Sequence, residues 1–198
     1  MATYPVRTRR WTRAEYDRLI DIGVFLSGGP LELLGGELIV SELQGSAHYT
    51  AIGLVEDALR AALGPGWLVR SQGPIELDDE SEPEPDIAVM RGDRRSYSHR
   101  HPSRPALVLE VAESSLVFDR EHKGSLYARA RLDDYWIVNL VDRVVEIYRR
   151  PRSGHVGAVW LALRFEGGPE RRVVRRAPGG TRSPHSRQRP PALERSSP

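Results

Sequence analysis

The sequence predicts an α/β (α+β) domain built round one mixed central β-sheet with flanking helices. Two observations carry this expectation. Apolar segments switch between helical and strand periods in the order helix, hairpin, helix, several strands, helix, strands. Beyond about Pro151 the pattern weakens, and past Gly167 arginine, proline, glycine and serine dominate. The 198 residues therefore divide into a folded domain over 7–150, a possible extra strand in 151–167 and an Arg/Pro-rich tail at 168–198, expected to be disordered because it has too little apolar surface to offset its ordering entropy.

The elements follow in order. Thr12 and Glu15 form a capping box, T-R-A-E, with Trp11 before the cap and Tyr16 at the staple position, so a short helix starts there and stops near Gly23. In LELLGGELIVSEL two apolar runs flank Gly35-Gly36, the mark of a two-residue hairpin turn. Ile52, Val55, Leu59 and Leu63 line one face of a helix over 48–63, closed by Gly64-Pro65-Gly66. WLVRSQGPIEL is a strand broken at Gly73-Pro74, DDESEPEP an acidic loop, DIAVM a short buried strand and RGDRRSYSHRHPSRP a basic loop. ALVLEVA is the most apolar strand of the chain. A helix is expected over 119–131 with Asp119 as a candidate cap, and YWIVNL and VVEIYRR close the sheet as a hairpin.

Composition narrows the function. With no cysteine there are no disulfides and no thiolate metal sites. No signal peptide and no membrane-spanning run is visible, so a cytoplasmic location is expected. The net charge of +2 hides two regions: up to Tyr148 there are 17 Lys and Arg against 24 Asp and Glu, a net of −7, and from Arg149 onward 12 against 3, a net of +9. The basic character belongs to the tail and says little about whether the domain binds nucleic acid.

Two carboxylates interrupt apolar strands. Asp86 opens DIAVM, and Glu110 sits inside LVLEVA. A buried charge is costly unless it is paired or binds a metal, so each is either half of a structural ion pair or a ligand; Asp86 is also open to a plain loop-capping role. Strand alternation puts Val108, Glu110 and Ala112 on one face and Leu107, Leu109 and Val111 on the other. The small Ala112 leaves room beside Glu110. Asp119 and Lys123 are four apart on the next helix, with Tyr127 following, so Lys123 can reach over Ala112. Lys123 is the only lysine; the other 28 of the 29 basic side chains are arginine. It is either a surviving surface charge or retained because a compact ammonium does what a guanidinium cannot. Two carboxylates and a lysine suit Mg²⁺, which takes oxygen ligands and keeps waters, and the matching chemistry is phosphodiester hydrolysis. His99, His101 and His122 are weak zinc candidates. No Walker-type loop and no G-x-S-x-G elbow occurs.

PEPDIAV, LVLEVAESSLVFDREHK and LYARARLDDYWIVNL together resemble the Uma-two family, within the PD-(D/E)XK restriction-endonuclease-like superfamily. The resemblance covers most of 7–150 and implies a restriction-endonuclease-like core. It maps the superfamily's Asp to Asp86 and its acid to Glu110. The superfamily lysine normally lies two residues after that acid, where this chain has Ala112, and Lys123 resembles the displaced lysine of this family. It further implies supporting roles for Glu37, Gln72, His48 and Asp119; the plainer readings are a hairpin flank, a loop amide, a structural histidine and a helix cap. Two departures stand out. Asn139 replaces a family Asp, and the C-terminal stretch does not resemble the family's closing segment, as if it were an unrelated extension or GC-rich sequence read in a shifted frame.

The expectation is therefore a Mg²⁺-dependent (or Mn²⁺-dependent) DNA endonuclease. Asp86 and Glu110 bind the ion, the Val111 carbonyl is a third candidate ligand, and Lys123 assists the attacking water. Arg91, Arg94, Arg95, Arg100 and Arg104 could hold the phosphate backbone or simply form a solvated surface. The alternatives are a non-catalytic DNA- or protein-binding module of the same fold and a metal-dependent hydrolase of RNA or smaller phosphodiesters. A homodimer is compatible with any of these.

Overall fold

The computed structural model describes residues 8–25, 31–40, 44–154, 157–166 and 173–176. Helix α1 spans Arg13–Asp21 and opens with the expected Thr12–Glu15 capping box. Strands β1 (Leu31–Leu34) and β2 (Glu37–Val40) form the expected hairpin as a separate two-stranded sheet. Gly35 and Gly36 both adopt positive φ in its turn, and a Cβ on Gly36 would collide with the Arg10 side chain. Helix α2 (Ser46–Leu63) follows, then β3 (Trp67–Ser71), β4 (Ile87–Arg91), β5 (Leu107–Ala112), β6 (Asp134–Asn139), β7 (Val144–Gly154), β8 (Gly157–Glu166) and β9 (Val173–Arg176).

These seven strands form one mixed sheet in the order β3-β4-β5-β6-β7-β8-β9. Every neighbouring pair is antiparallel except β5 and β6. Parallel neighbours need a crossover, and here it is helical: α3 (Leu116–Phe118), a π-helical turn over Asp119–Lys123, and α4 (Gly124–Arg129). The helix thus begins at Leu116, three residues before the expected start. Asp119 lies inside it rather than capping it, because the Asp119 N–H already donates to the Ser115 carbonyl.

Strand alternation divides the core. Val108 and Ala112 pack with Met90, Tyr127, Tyr135 and Ile137 on the α4 face. Leu107, Leu109 and Val111 pack with Ile52, Val69 and Val89 on the α2 face, joined by Val55 and Leu59. All six residues of β5 are buried, as expected of an interior strand with a helix on each face.

The sheet does not stop at residue 150. β7 runs through it, β8 is the expected extra strand, and β9 corrects the expectation of disorder from 168 at four residues. Residues 177–198 of the expected tail lie outside the described residues. Among the described residues no helix is long and apolar enough to cross a membrane.

The hairpin is docked on the acidic loop. The Glu82 N–H donates to the Leu33 carbonyl at 2.7 Å and the Gly36 N–H to the Glu80 carbonyl at 2.7 Å. Glu82 is itself buried, and among the described residues its Oε2 has no hydrogen-bond partner. Burial, reinforced by Asp17, Glu76 and Glu84, lifts its carboxyl to about 7. An acid raised on folding binds more protons in the native state, so its contribution to stability falls as pH rises from about 4.5 to about 7. Glu82→Gln should flatten that slope and raise the melting temperature by roughly 2–4 °C at pH 8, about 1 kcal/mol for a chain of this size. Thermal melts of both proteins across pH 5–8 check this; parallel curves would refute it.

Candidate active site

Asp86 stands at the entrance to β4, beside the middle of β5. Its Oδ2 accepts the Val111 N–H at 2.7 Å, and its own N–H donates to Glu110 Oε2 at 3.3 Å. The two carboxylates that interrupt apolar strands are therefore neighbours. Helix α2 brings His48 Nε2 to 3.0 Å from Asp86 Oδ2. Gln44 Nε2 donates to Asp86 Oδ1 at 3.3 Å, and Gln72 Nε2 donates to Gln44 Oε1 at 2.8 Å. Gln72 sits at positive φ just after β3, and its N–H donates to the Asp86 carbonyl. A chain of amides and an imidazole thus fixes the Asp86 side chain.

Glu110 points to the α4 face, as its alternation with Val108 and Ala112 requires. Its Oε1 accepts the Tyr127 hydroxyl at 2.7 Å and lies 3.1 Å from Lys123 Nζ. Lys123 is buried, at 6% exposed, and also contacts Glu32 of β1 at 3.2 Å. The π-helical turn mounts it. The Gly124 N–H reaches back five residues to the Asp119 carbonyl, which also accepts the Tyr135 hydroxyl at 2.9 Å. Gly124 allows this approach, since a Cβ there would lie 3.3 Å from the Asp119 carbonyl oxygen and 3.5 Å from the Tyr135 ring. The Asp119 carboxylate accepts the Ser115 hydroxyl at 2.6 Å. π-Turns occur often at functional sites.

These groups line a cleft of about 640 Å³. Six carboxylates reach it: Glu32, Glu84, Asp86, Glu110, Glu113 and Asp119. Against them stand Lys123 and His48. The excess negative charge shows in the ionisation. Burial holds Glu110 well above the ordinary carboxylate range, against the pull of Lys123. Burial also raises Asp86, opposed by the Val111 N–H and His48, and lifts Asp119 to about 6. Burial pulls Lys123 down, but Glu110, Glu32 and Asp119 outweigh it, and the ammonium stays charged.

Such a cleft calls for a cation. Among the described residues no three His, Asp or Glu side chains form a ready-made cage. Two adjacent oxygen donors at a solvent-reached wall instead fit an ion that takes one or two carboxylates and keeps its waters.

Of the sequence-selected residues, the structure brings Asp86, Glu110, Lys123, Val111, His48, Gln72 and Asp119 to this cleft. Glu37 is not among them: it opens β2 with its side chain exposed, because hairpin register turns Glu32 inward instead. Glu32, Glu84 and Gln44 were not picked out from the sequence. Glu32 carries the signal used for Glu110, a carboxylate inside an apolar run.

The basic loop stays outside the cleft. Arg94 and Arg95 lie in an exposed 3₁₀ turn, Arg91 stacks its guanidinium 3.7 Å from the Trp67 ring centre, Arg100 pairs with Glu76 at 2.5 Å, and Arg104 is exposed. Of the zinc candidates, His101 faces Arg70, and His122 stacks on Phe118 at 4.8 Å. Asn139 explains its own departure from the family Asp. Its amide donates to Asp142 and Glu146, both at 3.0 Å, where a carboxylate would face two others.

Helices on both faces of a mixed sheet, with the β4 and β5 carboxylates brought to one cleft, define a restriction-endonuclease-like fold. A protein of the DUF820 group from Anabaena variabilis, described as a "putative nuclease", shares it at a TM-score of 0.56 and 12% identity, over 71% of this chain and 78% of that one. The family model Uma2, described as "Putative restriction endonuclease", matches residues 13–180, and the chain belongs to that family. The match runs past β9, which corrects the expectation that family likeness ends near 150. No curated protein matches the sequence.

Proposed function

We propose that the protein is a Mg²⁺-dependent endonuclease that hydrolyses DNA phosphodiester bonds. The observation that carries this reading is the meeting of two buried strand carboxylates, both raised by burial, with the chain's only lysine in one acidic cleft. A polyanion entering that cleft would be repelled unless a cation came with it. Asp86 and Glu110 would hold the ion, with the Val111 carbonyl as a further donor; Mn²⁺ would serve in place of Mg²⁺. When bound, the ion supplies charge for the phosphoryl oxygens and acidifies water.

The chain's own groups do the rest. Tyr127 fixes the orientation of Glu110. Gln44, His48 and the Val111 N–H fix Asp86. Lys123 is the cation nearest the carboxylates, and its ammonium orients the attacking water and offsets charge on the phosphorane-like transition state. The arginines of 91–104 and of the C-terminal region hold the backbone away from the cleft, which makes affinity salt-dependent. A cytoplasmic location and a homodimer acting on two strands are consistent with this role.

The test is cleavage of supercoiled plasmid by the full-length protein with Mg²⁺ or Mn²⁺ and with EDTA. Metal-dependent nicking supports the reading. DNA binding without cleavage in either metal would favour the non-catalytic module, and cleavage of RNA but not DNA would favour the other hydrolase.

A further inference from the structure

Glu32 is one of the most deeply placed carboxylates of the cleft, yet it comes from outside the central sheet. It is 5% exposed and reaches Lys123 Nζ from both oxygens, at 3.4 Å for Oε1 and 3.2 Å for Oε2. The Glu84 N–H donates to its Oε2 at 3.0 Å, which fixes the carboxylate plane. Its neighbours Leu33 and Leu34 are fully buried, and the hairpin is bonded to the acidic loop through Leu33, Gly35 and Gly36. The carboxylate is thus delivered by a rigid mount rather than a free loop.

We infer that Glu32 is a positioning residue for Lys123. An ammonium has three donors and a flexible stem, so one carboxylate does not fix its place. Glu110 approaches it from β5 and Glu32 from the hairpin, and the two together define a single position for Nζ. The division of labour matters because Glu110 is also a candidate ion ligand. A carboxylate with two duties cannot hold the lysine alone, whereas Glu32 serves the lysine and a backbone N–H. The hairpin therefore acts as part of the catalytic apparatus. Its kinetic consequence rests on the nuclease reading; the placement of Lys123 does not.

The lone lysine makes the test direct. Apart from the N-terminal amine, an amine reagent reports Lys123 only. Full-length wild type, Glu32→Gln and Glu32→Asp are treated with an acetylating ester, and labelling of the Lys123 peptide is followed by mass spectrometry. Glu32→Gln keeps the shape and an acceptor for the Glu84 N–H but removes the charge. Labelling should be at least about tenfold faster than in wild type, with Glu32→Asp in between, because a released ammonium samples solvent and loses protons more readily. Mn²⁺ affinity should stay within about twofold, and kcat should fall about tenfold or more with KM little changed. Should Glu32→Gln fail to fold, Glu32→Asp carries the same comparison. Unchanged labelling in a folded variant overturns the inference. A fall in Mn²⁺ affinity with unchanged labelling overturns it in favour of an ion-ligand role. If the wild type cleaves nothing, the nuclease reading fails while the labelling comparison still decides the role of Glu32.

Discussion

Asp86→Asn is expected to abolish metal-dependent cleavage, by about 10³-fold or more, while melting no lower than the wild type. The second half of this result separates a ligand from a structural ion pair. Asp86 is raised by burial, so its charged form costs stability at neutral pH, and the five other carboxylates of the cleft add to the strain. An asparagine keeps an acceptor for the Val111 N–H and removes one negative charge. Stability should hold or rise, the usual trade between a strained site and a relaxed scaffold. Glu110→Gln should lose as much activity, with a smaller gain in stability because Lys123 then keeps only Glu32 as an ion partner at the distances seen here. The checks are plasmid nicking, Mn²⁺ titration and thermal melts. A structural pair would behave in the opposite way: losing one partner would cost roughly 3–5 kcal/mol and leave ion binding intact.

Lys123→Arg should be nearly as inactive as Lys123→Ala, about 10²-fold below wild type or lower. The ammonium sits between Glu32 and Glu110 with 6% of the residue exposed, so a planar, bulkier guanidinium cannot take its place without shifting one of them. The two variants should differ in stability. Arginine keeps a cation among the carboxylates and costs about 1–3 kcal/mol through overpacking. Alanine leaves the two acids without it and costs about 3–5 kcal/mol unless they take up protons. Parallel kinetics and melts at pH 7 measure both effects. Full activity in the arginine variant would mean that any cation suffices, and the retention of one lysine among 28 arginines would then have no chemical reason.

The centre of this arrangement was legible in the sequence because its signals are local. Glu110 stood out as a charge in an apolar strand, two-residue alternation gave its face, and four-residue spacing placed Lys123 within reach. Family resemblance pointed to His48 and Gln72, which the structure brings beside Asp86. Glu32 was passed over for Glu37 because both flank the same Gly35-Gly36 turn, and only tertiary docking decides which face of a four-residue strand turns inward. The π-helical turn was invisible, since a one-residue slip in backbone hydrogen bonding leaves no apolar period behind. β9 was hidden by an arginine-rich composition that argues against any strand.

That slip sets a limit on how this part of the chain can change length. A π-turn holds one more residue than the α-helical turn it replaces, so the crossover from β5 to β6 carries a built-in insertion at Asp119–Lys123. Removing one residue there would let the backbone relax into an ordinary α-helix and rotate all that follows by about 100°. Tyr127 would turn away from Glu110, and the Asp119 carbonyl would lose its bond from Gly124. Surface loops elsewhere can gain or lose residues at small cost. In this crossover the count is fixed, and a lineage that lost one residue would keep the fold but dismantle the cleft.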